Sequence, residues 1–394
     1  MRKVFEFIEC QRLKAQLKKA FHSAGLYIPY KSGDKEIKIF PKIHSVKIDD
    51  DQTEYVFTLI NGMDPKEVTK KEYVFMQHFG ENIMLDGDHK TFTLTVYRKT
   101  FPRNLPYNYS EILPAIDGLA LPIICGMDRH GKYVAYDAIN EPHLLVAGES
   151  GSGKSTQLRS ILTTLIQYYD ESKLNIYCAD LKMSEFHVFK RCRQVKSVCT
   201  TADQLKRMLR FIKSEMARRS QLLNEKEIAH INDLPESERP PYILVCIDEL
   251  VIAKDDKDIM NVLIQLVAIG RALNMIVILS MQRPSADILD TKIRANLTVR
   301  MGFRTADLMN ARIIGTPGAE KISMEHRGRF LLKREDLIEL QAPFLPLERA
   351  KKILEGYKSS DWKDALESDS RPSSEPLTED DILGVLDDEI KRTR

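Results

Sequence analysis

From Leu119 onward the chain alternates short apolar runs with amphipathic stretches. Residues 121–125, 134–136, 143–147, 175–179, 242–247 and 275–280 read as buried strands, and 155–169, 202–224 and 257–273 read as helices between them. Strands that are apolar on both faces and separated by helices predict an α/β fold with a mainly parallel, doubly covered sheet. The first hundred residues differ. Stretches 36–48, 54–60 and 91–98 alternate β-branched and aromatic residues as strands do, and Asp64-Pro65 opens a helix with an N-cap and a first-position proline. This predicts a small α+β domain of β-β-α-β type. Ahead of it, Val4, Ile8, Leu13, Leu17, Ala20 and Phe21 recur at near-helical spacing over 2–24, with Arg12, Lys14, Lys18 and Lys19 left for the other face. Packing on its own domain is the simpler reading of this helix, and docking on a membrane surface or partner is the alternative.

The predicted organisation is a helix over 1–30, the α+β domain over 31–104, a proline-containing linker over 105–118, the main domain over 119–355 and an acidic tail over 356–394. That tail holds eleven acidic and six basic residues, so a chain of net charge +2 has a modestly basic body. Its Ser/Asp/Glu/Pro content predicts disorder, with Thr378 capping a short terminal helix that could dock on a basic partner. The six cysteines form no C-x-x-C pair and read as reduced thiols, with neither zinc nor disulfides. No run is long and apolar enough to span a membrane, and the N-terminus has no signal-peptide core. The expectation is a cytoplasmic protein that reaches a membrane, if at all, through partners.

Between strand 143–147 and helix 155–169 lies Gly148-Glu149-Ser150-Gly151-Ser152-Gly153-Lys154-Ser155, followed by Thr156. It meets the phosphate-loop pattern G-x-x-x-x-G-K-[ST] at every fixed position. The loop amides and the helix N-terminus would cradle the phosphates of ATP. Lys154 would reach the β- and γ-phosphates, and the Ser155 hydroxyl would bind Mg²⁺. Strand 242–247 delivers Asp248 and Glu249 at its C-terminal end. Asp248 would hold the Mg²⁺ shell and Glu249 would polarise the attacking water, which makes a hydrolysing ATPase.

Around these motifs the sequence resembles the FtsK/SpoIIIE family of DNA-pumping ATPases, within the HerA/FtsK group, over roughly 120–335. The blocks that carry the resemblance are Asp180-Leu181-Lys182, Glu215-Met216-Ala217-Arg218-Arg219 with Asn232, Ser280-Met281-Gln282-Arg283-Pro284-Ser285, Ile293-Arg294-Ala295-Asn296 and Gly318-Ala319-Glu320-Lys321. The resemblance implies a RecA-like motor, a hexameric ring and sequence-independent binding of double-stranded DNA. It implies that Gln282 senses the γ-phosphate and that Arg271 reaches into a neighbouring subunit's nucleotide. It also implies that Arg283, Lys292 and Arg294 grip the DNA backbone. The basic residues at 206–207, 210, 213 and 218–219 read as subunit-interface or solvated charge. Met281 and Leu181 depart from the family's Thr and Pro, and His326-Arg327-Gly328-Arg329-Phe330 replaces its Gly-Asp-Met-Leu. Without spans or a winged helix in this sequence, the compact motors of plasmids, phages and conjugative elements are the nearer comparison. Two alternatives stay open: a conjugative coupling protein for single-stranded DNA and relaxase, and a protein-secretion ATPase of the same superfamily.

Overall fold

The computed structural model describes residues 2–32, 35–49, 51–80, 82–87, 89–98, 101–282 and 291–365. It divides into two compact units, Met1–Pro102 with Asp128–Lys132, and Arg103–Met127 with Tyr133–Arg394.

The first unit comprises α1 (Arg2–Ala24), a hairpin of β1 (Ile28–Ser32) and β2 (Lys35–Ile39), β3 (Lys42–Ile48), β4 (Gln52–Thr58), α2 (Pro65–Lys70), α3 (Glu72–Phe79), β5 (Ile83–Gly87) and β6 (Thr91–Tyr97). Phe40-Pro41 splits what the pattern suggested was one strand, since proline has no N–H for a ladder. The last four strands form a sheet in the order β3-β4-β6-β5. Asp64 caps α2 as expected, its carboxylate accepting from the Lys66 amide at 2.9 Å. The apolar face of α1 closes this unit's core: Leu17, Ala20 and Phe21 are fully buried with Phe57, Phe75 and Leu94. Only part of the predicted stripe is used, because Ile8 is 61% exposed.

The second unit contains β7 (Leu105–Pro106), α4 (Tyr109–Ile116), β8 (Pro122–Met127), β9 (Tyr133–Asp137), β10 (Leu144–Ala147), α5 (Lys154–Tyr168), β11 (Leu174–Asp180), β12 (Val195–Cys199) and α6 (Ala202–Lys226). It continues with β13 (Tyr242–Asp248), α7 (Lys257–Ile269), β14 (Met275–Met281), α8 (Thr291–Asn296), β15 (Val299–Phe303), α9 (Leu308–Ile314), β16 (Arg329–Lys333), β17 (Leu337–Gln341), β18 (Pro343–Phe344) and α10 (Leu347–Leu354). Ten strands form one sheet in the order β12-β11-β13-β14-β10-β15-β16-β17-β8-β9. It is parallel from β12 to β15 and antiparallel from β15 to β9. Both faces of the parallel half are covered. Leu244 and Cys246 point into a core shared with α5, and Ile243, Val245 and Ile247 into one shared with α6 and α7.

Two expectations need correction. Residues 105–118 are not a linker: Tyr107, Ile112 and Ile116 are buried in the second unit's core, because this stretch supplies the apolar face of α4. The tail does not leave the domain at 356 either. The Ser359 amide donates to Arg191 O and the Ala365 amide to Lys196 O, both at 2.9 Å, while the Trp362 indole donates to Val195 O. The predicted terminal helix beyond residue 365 lies outside the described residues, as does Arg283. Cys125, Cys178, Cys192, Cys199 and Cys246 are buried free thiols, and Cys10 is a half-buried one.

Candidate active site

Strand register brings the two nucleotide motifs together. β14 lies between β10 and β13, with Ala147 opposite Met281 and Ser280 opposite Asp248. The phosphate loop, Gln282 and Glu249 therefore leave the sheet at one level of one edge. With strands about 4.8 Å apart, the loop strand and the Asp248 strand are about 10 Å apart. β11 adds Asp180 opposite Asp248. This is the carboxyl edge where ligands of open α/β sheets bind.

The loop is held from two sides. Glu149 donates its amide to Arg304 O at 2.9 Å and pairs through its carboxylate with the Arg304 guanidinium, just after β15. The Gly328 amide donates to Ser152 O at 2.8 Å. A Cβ on Gly148 would meet Phe303 Cβ at 2.7 Å, and one on Gly153 would meet Gly328 Cα at 2.8 Å. Backbone approaches backbone here at distances that only glycine allows. The amides of Gly151, Gly153, Lys154 and Ser155 line the cleft and donate to no protein acceptor among the described residues. They are donors in want of an anion, which is the observation that fits a bound phosphate.

Lys154 folds back on its own loop, with Nζ 2.5 Å from Gly148 O and 2.9 Å from Glu149 O. Burial pushes its ammonium down to about 8, against the opposing pull of Asp248 and Glu249. Burial likewise raises the Asp248 carboxyl above its ordinary range, with the nearby Asp180 and Glu249 adding to the rise. Glu249 sits in the left-handed region at φ 57°, strain that the surrounding structure maintains. Its Oε2 accepts from Lys182 Nζ at 2.7 Å, and its Oε1 lies 3.4 Å from the Gln282 amide.

Lys182 has its position through Asp180. The Asp180 carboxylate accepts from the amides of Ser184, Glu185 and Phe186 at 2.8–3.1 Å, which closes the turn after β11. Glu185 in turn pairs with the buried Arg159 of α5. Lys182, Arg304 and Arg327 had no role from sequence. Lys182 and Arg304 each follow a parallel strand by one or two residues, the position at which this sheet class puts its ligand groups.

A cleft of about 630 Å³ unites Ser150, Lys154, Ser155, Thr156, Lys182 and Gln282. Its other walls are Arg327, Gly328, Pro343 and Phe344, with Arg103 and Asn104. The pairing of β18 with β7, Pro343 opposite Leu105, builds that second wall.

The remaining predicted residues lie elsewhere. Arg271 is exposed at the opposite end of β14 from Gln282, about 23 Å away at strand rise over that strand's seven residues. Lys292 and Arg294 lie on α8, with Lys292 exposed and Arg294 half-buried. Arg219 is neither solvated nor an exposed interface charge. It is 1% exposed and donates to Glu215 Oε1, Leu273 O and Pro241 O, each at 2.7 Å. With Asn274 donating to Asn232 at 2.7 Å, these bonds brace the turn that carries Arg271.

A phosphate loop on β10, an acidic pair on β13 and a polar residue ending the strand between them define a P-loop ATPase domain of RecA-like fold. Residues 117–283 match the model of the FtsK/SpoIIIE family. Those residues form a domain of the FtsK/SpoIIIE family. It is 32% identical over 214 residues to the DNA translocase FtsK of Borreliella burgdorferi, covering 51% of this chain and 27% of that protein. With the FtsK of Helicobacter pylori J99 the identity is 30% over 282 residues, 67% of this chain and 33% of that one. The chain thus spans about a quarter to a third of the length of these relatives. Its fold is similar to that of the pCW3 conjugation coupling protein TcpA, with a TM-score of 0.61, 24% identity and coverage of 87% and 99% of the two chains. It is also similar to the type VII secretion ATPase EccC of Thermomonospora curvata, at 0.56, 23%, 66% and 33%. No helix among the described residues is long and apolar enough to cross a membrane.

Proposed function

We propose that this chain is an ATP-hydrolysing motor that moves double-stranded DNA, working as a ring-shaped homo-oligomer, in transfer, replication or maintenance of a mobile element. The observation that supports it is the shared edge at which Lys154, Glu249, Lys182 and Gln282 meet. ATP would lay its phosphates on the free amides of the loop, and Lys154 would exchange loop carbonyls for phosphate oxygens. Mg²⁺, held by Ser155 and Asp248, would supply charge neutralisation of the β- and γ-phosphates. Glu249 would accept the proton of the attacking water, and Gln282, bonded through its amide to Glu249, would pass the loss of the γ-phosphate into the segment that leads to Lys292 and Arg294. Base and ribose would occupy the Phe344–Arg103 end of the cleft. Arg271 cannot serve its own cleft from the far end of β14, so it would act in trans on a neighbouring subunit.

The test is ATP turnover with and without nucleic acid. Duplex of any sequence should raise the rate, salt should suppress the effect, and Glu249→Gln should remove turnover while ATP still binds. A rate indifferent to nucleic acid would defeat the reading. The TcpA-like fold favours one second reading, a coupling protein, in which single strands stimulate more strongly than duplex.

A further inference from the structure

The first unit carries a basic groove. A groove of about 560 Å³ runs between α1 and the β2–β3 corner, and Lys14, Lys18, Lys38 and Lys42 line it with Gln11 and Phe40. No carboxylate lines it. Elsewhere in this unit lysines face acidic partners, Lys47 with Glu54 and Lys70 with Glu67. Lys14, Lys18 and Lys42 have no carboxylate partner among the described residues. Lys14 and Lys18, four apart on α1, repel one another, and they flank the stripe that Leu17 and Phe21 bury in the core. Lys38 is held in place, its Nζ 3.0 Å from His22 Nε2 and 4.5 Å from the centre of the Tyr27 ring. Four like charges in one concavity are compensated when a polyanion lies in it.

We infer that this groove binds the phosphodiester backbone of DNA, as a contact separate from the motor's own. The inference rests on the DNA-motor reading above. Paired ammonium groups along a concave wall suit a repeating phosphate chain, and contacts to phosphates carry no sequence preference.

The experiment uses the full chain and measures binding of labelled duplex and single strands across a salt series. Replacing Lys14, Lys18 and Lys42 together by alanine should weaken duplex binding tenfold or more at moderate salt. It should also make the slope of log K against log salt shallower by about 2 to 3, since each neutralised phosphate contributes about −0.9. Removing three ion-paired lysines instead, Lys70, Lys226 and Lys351, should leave the slope unchanged. Independently of any variant, DNA should protect Lys14, Lys18 and Lys42 of the wild-type chain from acetylation. An unchanged slope and no protection, with wild-type binding intact, would overturn the groove and spare the motor reading. A wild-type chain that binds no DNA would overturn both. Protection by polyglutamate but not by DNA would assign the groove to an acidic peptide and overturn the inference. Stronger protection by single strands than by duplex would support it and identify the form of DNA.

Discussion

Lys182 Nζ lies 2.7 Å from Glu249 Oε2, joining the turn after β11 to the end of β13 across the mouth of the phosphate cleft. Glu249 is 6% exposed, so this ammonium is the counter-charge that makes its burial tolerable. Lys182 also lines the cleft itself. One side chain therefore touches the candidate base and also lines the phosphate-loop cleft.

Lys182→Ala should lower kcat about tenfold or more, within the range of lost acid–base positioning, while KM for ATP changes little. Lys182→Arg should restore part of the rate. Steady-state kinetics check this, and a fall in thermal stability large enough to explain the loss would assign Lys182 to the scaffold instead.

ATP affinity should decline with alkaline pH. Burial holds the Lys154 ammonium at about 8, against 10.5 for an ordinary lysine. Bound phosphates favour its charged form, so binding takes up a proton wherever Lys154 has lost one. Above about pH 8 the affinity should therefore fall by up to tenfold per pH unit, and below it should level off. Titration calorimetry in buffers of differing ionisation heat would detect the proton uptake. Affinity flat from pH 7 to 10 would contradict it.

Gly328→Ala should loosen the phosphate loop from outside it. The new Cβ would meet Gln341 Nε2 at 2.7 Å, at a φ of 82°, beside the amide that holds Ser152 O. A cost of about 1–3 kcal/mol is expected, with weaker nucleotide binding. Gly356→Ala, where a Cβ meets nothing within 4 Å, is the matched control and should be near neutral. Denaturant melts of the two variants compare them directly.

Mixing Arg271→Ala subunits with Lys154→Ala subunits should restore partial turnover, since one supplies the loop and the other the arginine. Arg219→Ala should cost about 3 kcal/mol or more, because it leaves the Leu273 and Pro241 carbonyls without their donor and Glu215 with Arg218 as its remaining partner. No recovery at any mixing ratio would remove Arg271 from the mechanism.

Acid should destabilise the second unit through His143. Burial pushes this imidazole down to about 4 from an unfolded value of 6.5. Between these values the unfolded chain binds the proton and the folded chain does not, so stability falls as pH drops through that window. The loss should be about 2 kcal/mol between pH 7 and 5. Urea melts at the two pH values measure it, and a His143 contribution is absent if His143→Gln shows the same loss.

The local sequence determined the elements whose information is local. The loop 148–155 needs its glycines and lysine in fixed order, β13 needs an uninterrupted apolar run, and Asp64-Pro65 carries its own cap; each was legible before any fold was known. What joins distant segments was not. Register along β11, β13 and β14 decides that Lys182 meets Glu249 67 residues away, and no periodicity encodes a partner across that gap. The same holds for Gly328 against Gly153, for the burial of Arg219, and for residues 105–118, whose prolines suggested a linker while tertiary packing made them core. Sequence alone sets propensity and chemistry within a few residues; pairing and packing, which sum many weak contacts over the whole chain, decide which of those chemistries share a site.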